Sequence, residues 1–176
     1  MTSLVWRSVA LRVRQAGHAL TARWERGDEA LLSVLLPAER ALFDRLPPAD
    51  RAHALRVTAR LHEAGQTEPR LLRAALLHDI GKAGQGVHLP HRVARVLLQA
   101  VAPATWARLA DTAVGWQRPF YALAHHAETG AALVAAAGDE PVTVALVRFH
   151  DAPSIPPALA NYADWLRALQ AADDEG

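Results

Sequence analysis

Across 176 residues no run of alternating β-branched residues is bounded by turns, whereas apolar residues recur every three or four positions between prolines and glycines. That pattern admits helices and little else. Half of the chain is hydrophobic (51%) but only 6% is aromatic. Much of the remainder is alanine, the strongest helix former. An all-α fold is therefore expected.

The punctuation divides the chain into helices. Residues 4–24 read as an amphipathic helix ended by Gly27, and Asp28 can cap a short one to Leu36. Pro37 opens the next, through Leu46, and Pro47-Pro48 interrupts it. Asp50 caps a helix from Arg51 to about Ala64, whose residues Ala54, Val57, Leu61 and Ala64 step by three and four. Further helices run from Pro69 to Ile80, Pro90 to Val101, Pro103 to Ala110, Pro119 to about Gly138 and Asp139 to His150. Pro153, Pro156 and Pro157 form a rigid linker before a last helix from Ala158 to about Ala172. One domain is expected at this length. Within it, residues 1–48 form a helical extension packed on a core of residues 49–172, and residues 173–176 form an acidic tail that frays.

Net charge is +1, so no global field favours nucleic acid. A modest basic arm, Arg7, Arg12, Arg14, Arg23 and Arg26 against Glu25, reads first as a solvated helix face. Cysteine is absent, which excludes disulfides and thiolate metal sites and fits a reducing cytoplasm. No apolar run reaches the roughly 18 residues of a membrane span, and no signal peptide is recognisable.

The chemistry concentrates at Leu77-His78-Asp79-Ile80-Gly81-Lys82. An imidazole and a carboxylate end an apolar helical run there, a pairing able to hold a divalent metal. Lys82 is the only lysine in the chain, although Arg-rich, Ala-rich usage also suggests a high-GC genome. Gly81, Gly84 and Gly86 then form a loop where the backbone can approach a ligand. His53 lies on the inner stripe of its helix, and His62, half a rotation away, faces elsewhere. His126 has Gly130 one turn above it, which leaves space for a neighbouring group; His125 is its rival. His150 ends the next helix. Asp164 sits in an apolar segment beside Trp165, with Asp151 as the alternative. His53, His78-Asp79, His126, His150 and Asp164 thus fall on five successive major helices.

That order, with the His-Asp doublet followed by Ile-Gly-Lys, resembles the HD-domain superfamily of metal-dependent phosphohydrolases over residues 50 to 170. The family's minimal site matches His53, His78, Asp79 and Asp164. His126-Ala127-Glu128-Thr129-Gly130 is similar to its His-Pro-Glu-Ile-Gly segment, and His150 falls where a further histidine is often found. The Gly-Tyr-Pro signature of the cyclic-di-GMP-degrading branch is missing, as is the second set of domains of large alarmone synthetase-hydrolases. The chain most resembles small stand-alone HD proteins.

The resemblance implies a single-domain helical bundle with one or two divalent ions in its core. Nitrogen and oxygen ligands suit Mn²⁺, Fe²⁺ or Mg²⁺, with Zn²⁺, Co²⁺ or Ni²⁺ also compatible. It implies metal-activated water attacking the phosphorus of a nucleotide or small phosphorylated metabolite. Asp79 would bridge the metals, and Lys82 would stabilise charge on a phosphate oxygen. His91 and Arg92, just past the glycine loop, would contact phosphate. Arg118 and Tyr121 are weaker candidates. A homo-oligomer is compatible with this picture. A di-iron oxygenase and a non-catalytic HD scaffold are the alternatives.

Overall fold

The structure, a computed structural model, describes residues 28–175. The expected first helix, the basic arm, the first 27 residues of the N-terminal extension and Gly176 lie outside the described residues. The described chain is all-helical: α1 (Asp28–Leu32), α2 (Pro37–Phe43), α3 (Pro48–Glu63), α4 (Pro69–Leu77), α5 (Leu89–Val101), α6 (Pro103–Ala110), α7 (Arg118–Ala136), α8 (Pro141–Phe149) and α9 (Ala163–Asp174). Short 3₁₀ turns occupy Ile80–Lys82, Gly115–Gln117 and Pro157–Tyr162. Among the described residues no helix is long and apolar enough to cross a membrane.

Proline sets most of the starts. It stands in the first helical turn of seven of these helices, α2 to α8, where its fixed φ fits and its missing N–H costs nothing. Asp50, expected as a cap, therefore falls inside the first turn of α3, because Pro48 starts that helix earlier.

The helix α4 is the centre of the bundle. From Leu71 to Leu77 only Arg73 escapes full burial, as a helix surrounded by others requires. Each buried leucine contributes about 2 kcal/mol by removal from water. Helices α3, α8, α9 and α2 pack around it, and α7 lies across α8 and the Ile80–Lys82 turn. Leu32, Phe43 and Leu46 belong to the same core, so the described part of the N-terminal extension is integral to the bundle. The pair α5–α6 sits outside, against α7, and α5 buries no residue completely.

Gly81 explains how close that crossing is. A Cβ there would stand 2.0 Å from the His126 carbonyl oxygen and 2.8 Å from the Gly130 nitrogen. The group for which Gly130 makes room is thus the backbone of Gly81 and the side chain of Ile80, which a Cβ on Gly130 would meet at 3.3 Å.

Candidate metal centre

Two nine-residue helices, α4 and α8, begin with proline and end on a histidine cap, His78 and His150. Both helices present their carbonyl ends, the negative pole of the helix, beside these imidazoles, an arrangement that favours a cation. Asp79 follows His78 directly. The long helix α7 contributes His126, and α3 contributes His53.

These residues converge. His53 and His78 have ring centroids 5.2 Å apart, His78 and His150 5.1 Å, and His126 and His150 5.0 Å. Asp79 Oδ1 lies 3.7 Å from His78 Nε2, 3.5 Å from His126 Nε2 and 4.0 Å from His150 Nε2. Two groups result, His53–His78–Asp173 and Asp79–His126–His150, each with its ligand atoms within 4.8 Å of one another.

The carboxylate of the first group corrects an expectation. Asp164 points to solvent, its side chain 94% exposed and paired with Arg167 at 2.8 Å. Asp173 occupies the place expected of it, bonded to His53 Nε2 at 2.8 Å and lying 3.6 Å from His78 Nε2. The tail is not frayed there, since α9 runs to Asp174. The signal was available: Leu166 and Leu169 are buried, and Asp173 continues their stripe at steps of three and four, whereas Asp164 lies about 200° from Leu166. Arg60 Nη1 donates to the Ala172 carbonyl at 3.4 Å and Gln170 to the Ala152 carbonyl at 2.9 Å, tying this end of α9 to α3 and to the segment after His150.

The two open choices also separate. His126 is 2% exposed, while His125 lies on the outer side of α7 and bonds the Ala110 carbonyl. His150 is buried and Asp151 exposed. His62 is exposed, as its helical phase requires.

Tautomers follow from the backbone. The Nδ1 atoms of His78, His126 and His150 face the carbonyl oxygens of Ala75 (2.8 Å), Leu123 (3.2 Å) and Val147 (2.8 Å). A carbonyl only accepts, so each Nδ1 donates and each Nε2 is left free to be a ligand. Burial, reinforced by Lys82 for His126 and by His78 for His150, lowers the pKa of both and keeps them neutral. Their Nε2 atoms then face each other at 3.2 Å, lone pair to lone pair. His78 Nε2 is buried without a hydrogen-bond partner. Such a set could hold a metal ion.

Charge points the same way. Burial pushes the Asp79 carboxyl up, but Lys82, with Nζ 2.5 Å from Oδ1, and the surrounding imidazoles outweigh it and hold the group far below the ordinary range. Asp173 behaves likewise against His78 and His53. Asp79 and Asp173 bring two carboxylates to the site and Lys82 one ammonium. In the Asp79–His126–His150 group the donor atoms lie 3.2–4.0 Å apart, wider than the roughly 3.0–3.4 Å between neighbouring ligands about 2.1 Å from a common ion, so the group would have to tighten to hold one.

The expected phosphate contacts are already engaged. Arg92 Nη2 binds Oδ1 of the buried Asp50 at 2.5 Å. His91 Nδ1 accepts the His88 N–H at 3.1 Å, and its ring meets Phe120 edge-on. Arg118 binds Gln85, and Tyr121 stacks on His125.

The fold and site define an all-helical bundle with adjoining His/Asp groups at its centre. Compared with protein-family models, curated proteins and solved structures, the chain matches none.

Proposed function

We propose that this chain is a metal-dependent phosphohydrolase of the HD type, acting on a nucleotide or small phosphorylated metabolite. The observation that carries the proposal is the convergence of four imidazoles and two carboxylates, three of the imidazoles with Nδ1 committed to backbone carbonyls and Nε2 left as the ligand atom. One or two divalent ions, Mn²⁺, Fe²⁺ or Mg²⁺ before Zn²⁺, Co²⁺ or Ni²⁺, would supply Lewis-acid polarisation of phosphorus–oxygen bonds and acidify water.

The chain's own residues do the rest. The carbonyls of Ala75, Leu123 and Val147 fix three imidazoles in the ligand tautomer. Asp79 belongs to the second group and lies 3.7 Å from His78 of the first, so it would be shared if two ions bind. Lys82, 10% exposed and held by Asp79, stabilises the negative charge that grows on a phosphoryl oxygen. Arg92, through the nitrogens that Asp50 leaves free, and His91 are the candidates for further phosphate contacts. A cysteine-free composition supports a cytoplasmic setting.

Metal analysis of the purified chain, then a phosphate-release screen across nucleotides under Mn²⁺, tests this reading. Asp79→Ala should abolish metal binding and turnover with helical content kept; normal turnover in that variant rejects the assignment. Iron with O₂-dependent turnover in place of phosphate release would identify an oxygenase. Absence of binding for every divalent ion would identify a scaffold.

A further inference from the structure

Glu39, Arg73 and Asp139 come from α2, α4 and the turn before α8, and none belongs to the metal-ligand set. Glu39 is fully buried, the Asp139 side chain is 0% exposed and Arg73 is 13% exposed. Glu39 Oε2 accepts the Leu36 N–H at 2.8 Å, which closes the first turn of α2. Asp139 Oδ1 accepts from Arg73 Nη1 at 2.9 Å and from the Glu140 N–H at 2.6 Å. The two carboxyls are within hydrogen-bonding reach of each other. Glu39 Oε1 and Asp139 Oδ2 are buried with no other donor.

Two ionised carboxylates cannot hydrogen-bond, because neither has a proton to give. One guanidinium also balances only one of them. The remaining charged groups on these helices turn elsewhere: Arg40 to Glu29 and Asp44, Arg70 to Glu68 and Glu140, and Arg148 to Glu128. A single proton between Glu39 and Asp139 satisfies both orphaned oxygens and neutralises the cluster.

We propose that Glu39 and Asp139 share one proton and form a pH-dependent latch fastening residues 28–46 onto α4 and α8, the helices that end in His78 and His150. Burial, then the hydrogen bond to Asp139, raises the Glu39 carboxyl to about 7. Its folded value lies above its ordinary 4.5. The latch therefore contributes fully below that ordinary value, weakens as pH rises towards 7 and changes no further above it. The opening equilibrium of this segment shifts by up to about tenfold per pH unit inside that window.

Tryptic cleavage after Arg40 and Arg45, followed from pH 5 to 8.5 and normalised to trypsin's own pH profile, reads the opening. Wild-type cleavage should accelerate up to pH 7 and then level off. Glu39→Gln places a permanent donor beside Asp139 and should flatten the profile, and Asp139→Asn should do the same from the other side. A wild-type slope retained in both variants overturns the proposal. The infrared band of a buried protonated carboxyl decides it without any variant: present at pH 6 and gone at pH 8.5 supports the latch, and absent at pH 6 refutes it.

Discussion

Gly81 packs its backbone directly against α7, and Gly81→Ala measures what that approach is worth. The added Cβ would stand 2.0 Å from the His126 carbonyl oxygen. An ordinary carbon–oxygen contact begins near 3.3 Å, so the turn and the helix must part by roughly 1.3 Å. The oxygen is backbone and the position of a Cβ is fixed by its own backbone, so no rotamer change can relieve the contact. Alanine's advantages over glycine, in helix propensity and in a less flexible unfolded chain, amount to about 1 kcal/mol at most each. Overpacking a filled core costs about 1–3 kcal/mol, and a backbone clash belongs at the upper end. The net expectation is a loss of about 1–3 kcal/mol, or a fall in Tm of roughly 2–12 °C for a chain of this size. The displaced carbonyl belongs to His126, and Asp79 is two residues from Gly81, so metal affinity should fall with stability. Gly84→Ala is the control: Gly84 has φ +72° with nothing within 4 Å of a Cβ, so it should cost about 1–2 kcal/mol of left-handed strain and leave metal binding intact. Differential scanning fluorimetry and calorimetric metal titration of both variants settle the matter. A Gly81→Ala protein that melts within about 1 °C of wild type, under the smallest shift expected, and binds metal normally would refute the reasoning.

Asp173→Asn should lower metal affinity by more than the roughly 10–100-fold typical of losing an outer hydrogen-bond partner, while Asp164→Asn should leave both affinity and Tm unchanged; metal titration of the pair checks this. His126→Ala should lose metal, and His125→Ala should keep it, by elemental analysis of dialysed protein. A divalent ion at about 100 times its Kd should add roughly 2.7 kcal/mol of stability, visible as a rise in Tm that Asp79→Ala abolishes and chelation reverses. His126 and His150 have folded pKa values below their ordinary 6.5, so the stability they govern is full above that value. It is lost as pH falls below it, by up to about 1.4 kcal/mol per pH unit for each imidazole. Proton uptake on acid unfolding, measured by calorimetry in two buffers, should exceed that of a His150→Gln variant. The acid-side loss has the opposite sign to the Glu39 effect, so the two are separable in one pH series.

Most of the fold was legible because helical periodicity and proline punctuation are local properties. Helix α3 began at Pro48 and not after Asp50 because a proline needs no cap at the first helical position. His53 and His78 could be placed because each extends an apolar stripe of its own helix. The pairing of His126 with His150, and the close approach at Gly81, depend on how α7, α8 and the Ile80–Lys82 turn cross. No pattern within one helix encodes that.

Asp164 and Asp173 show where the periodicity argument changes hands. Along the chain Asp164 has the apolar Tyr162 and Trp165 as neighbours, but adjacency along a helix spreads side chains around the axis. The 3₁₀ segment Pro157–Tyr162 has a different rotation per residue and a break in helical geometry at Leu159, so no phase carries across it into α9. The phase of α9 must be taken from its own buried residues, Leu166, Leu169 and Ala172. Taken so, it sends Asp164 to solvent and Asp173 inward to His53 and His78. The carboxylate that completes the first ligand group is then the one that prolongs a buried stripe, as His53 and His78 do on their own helices.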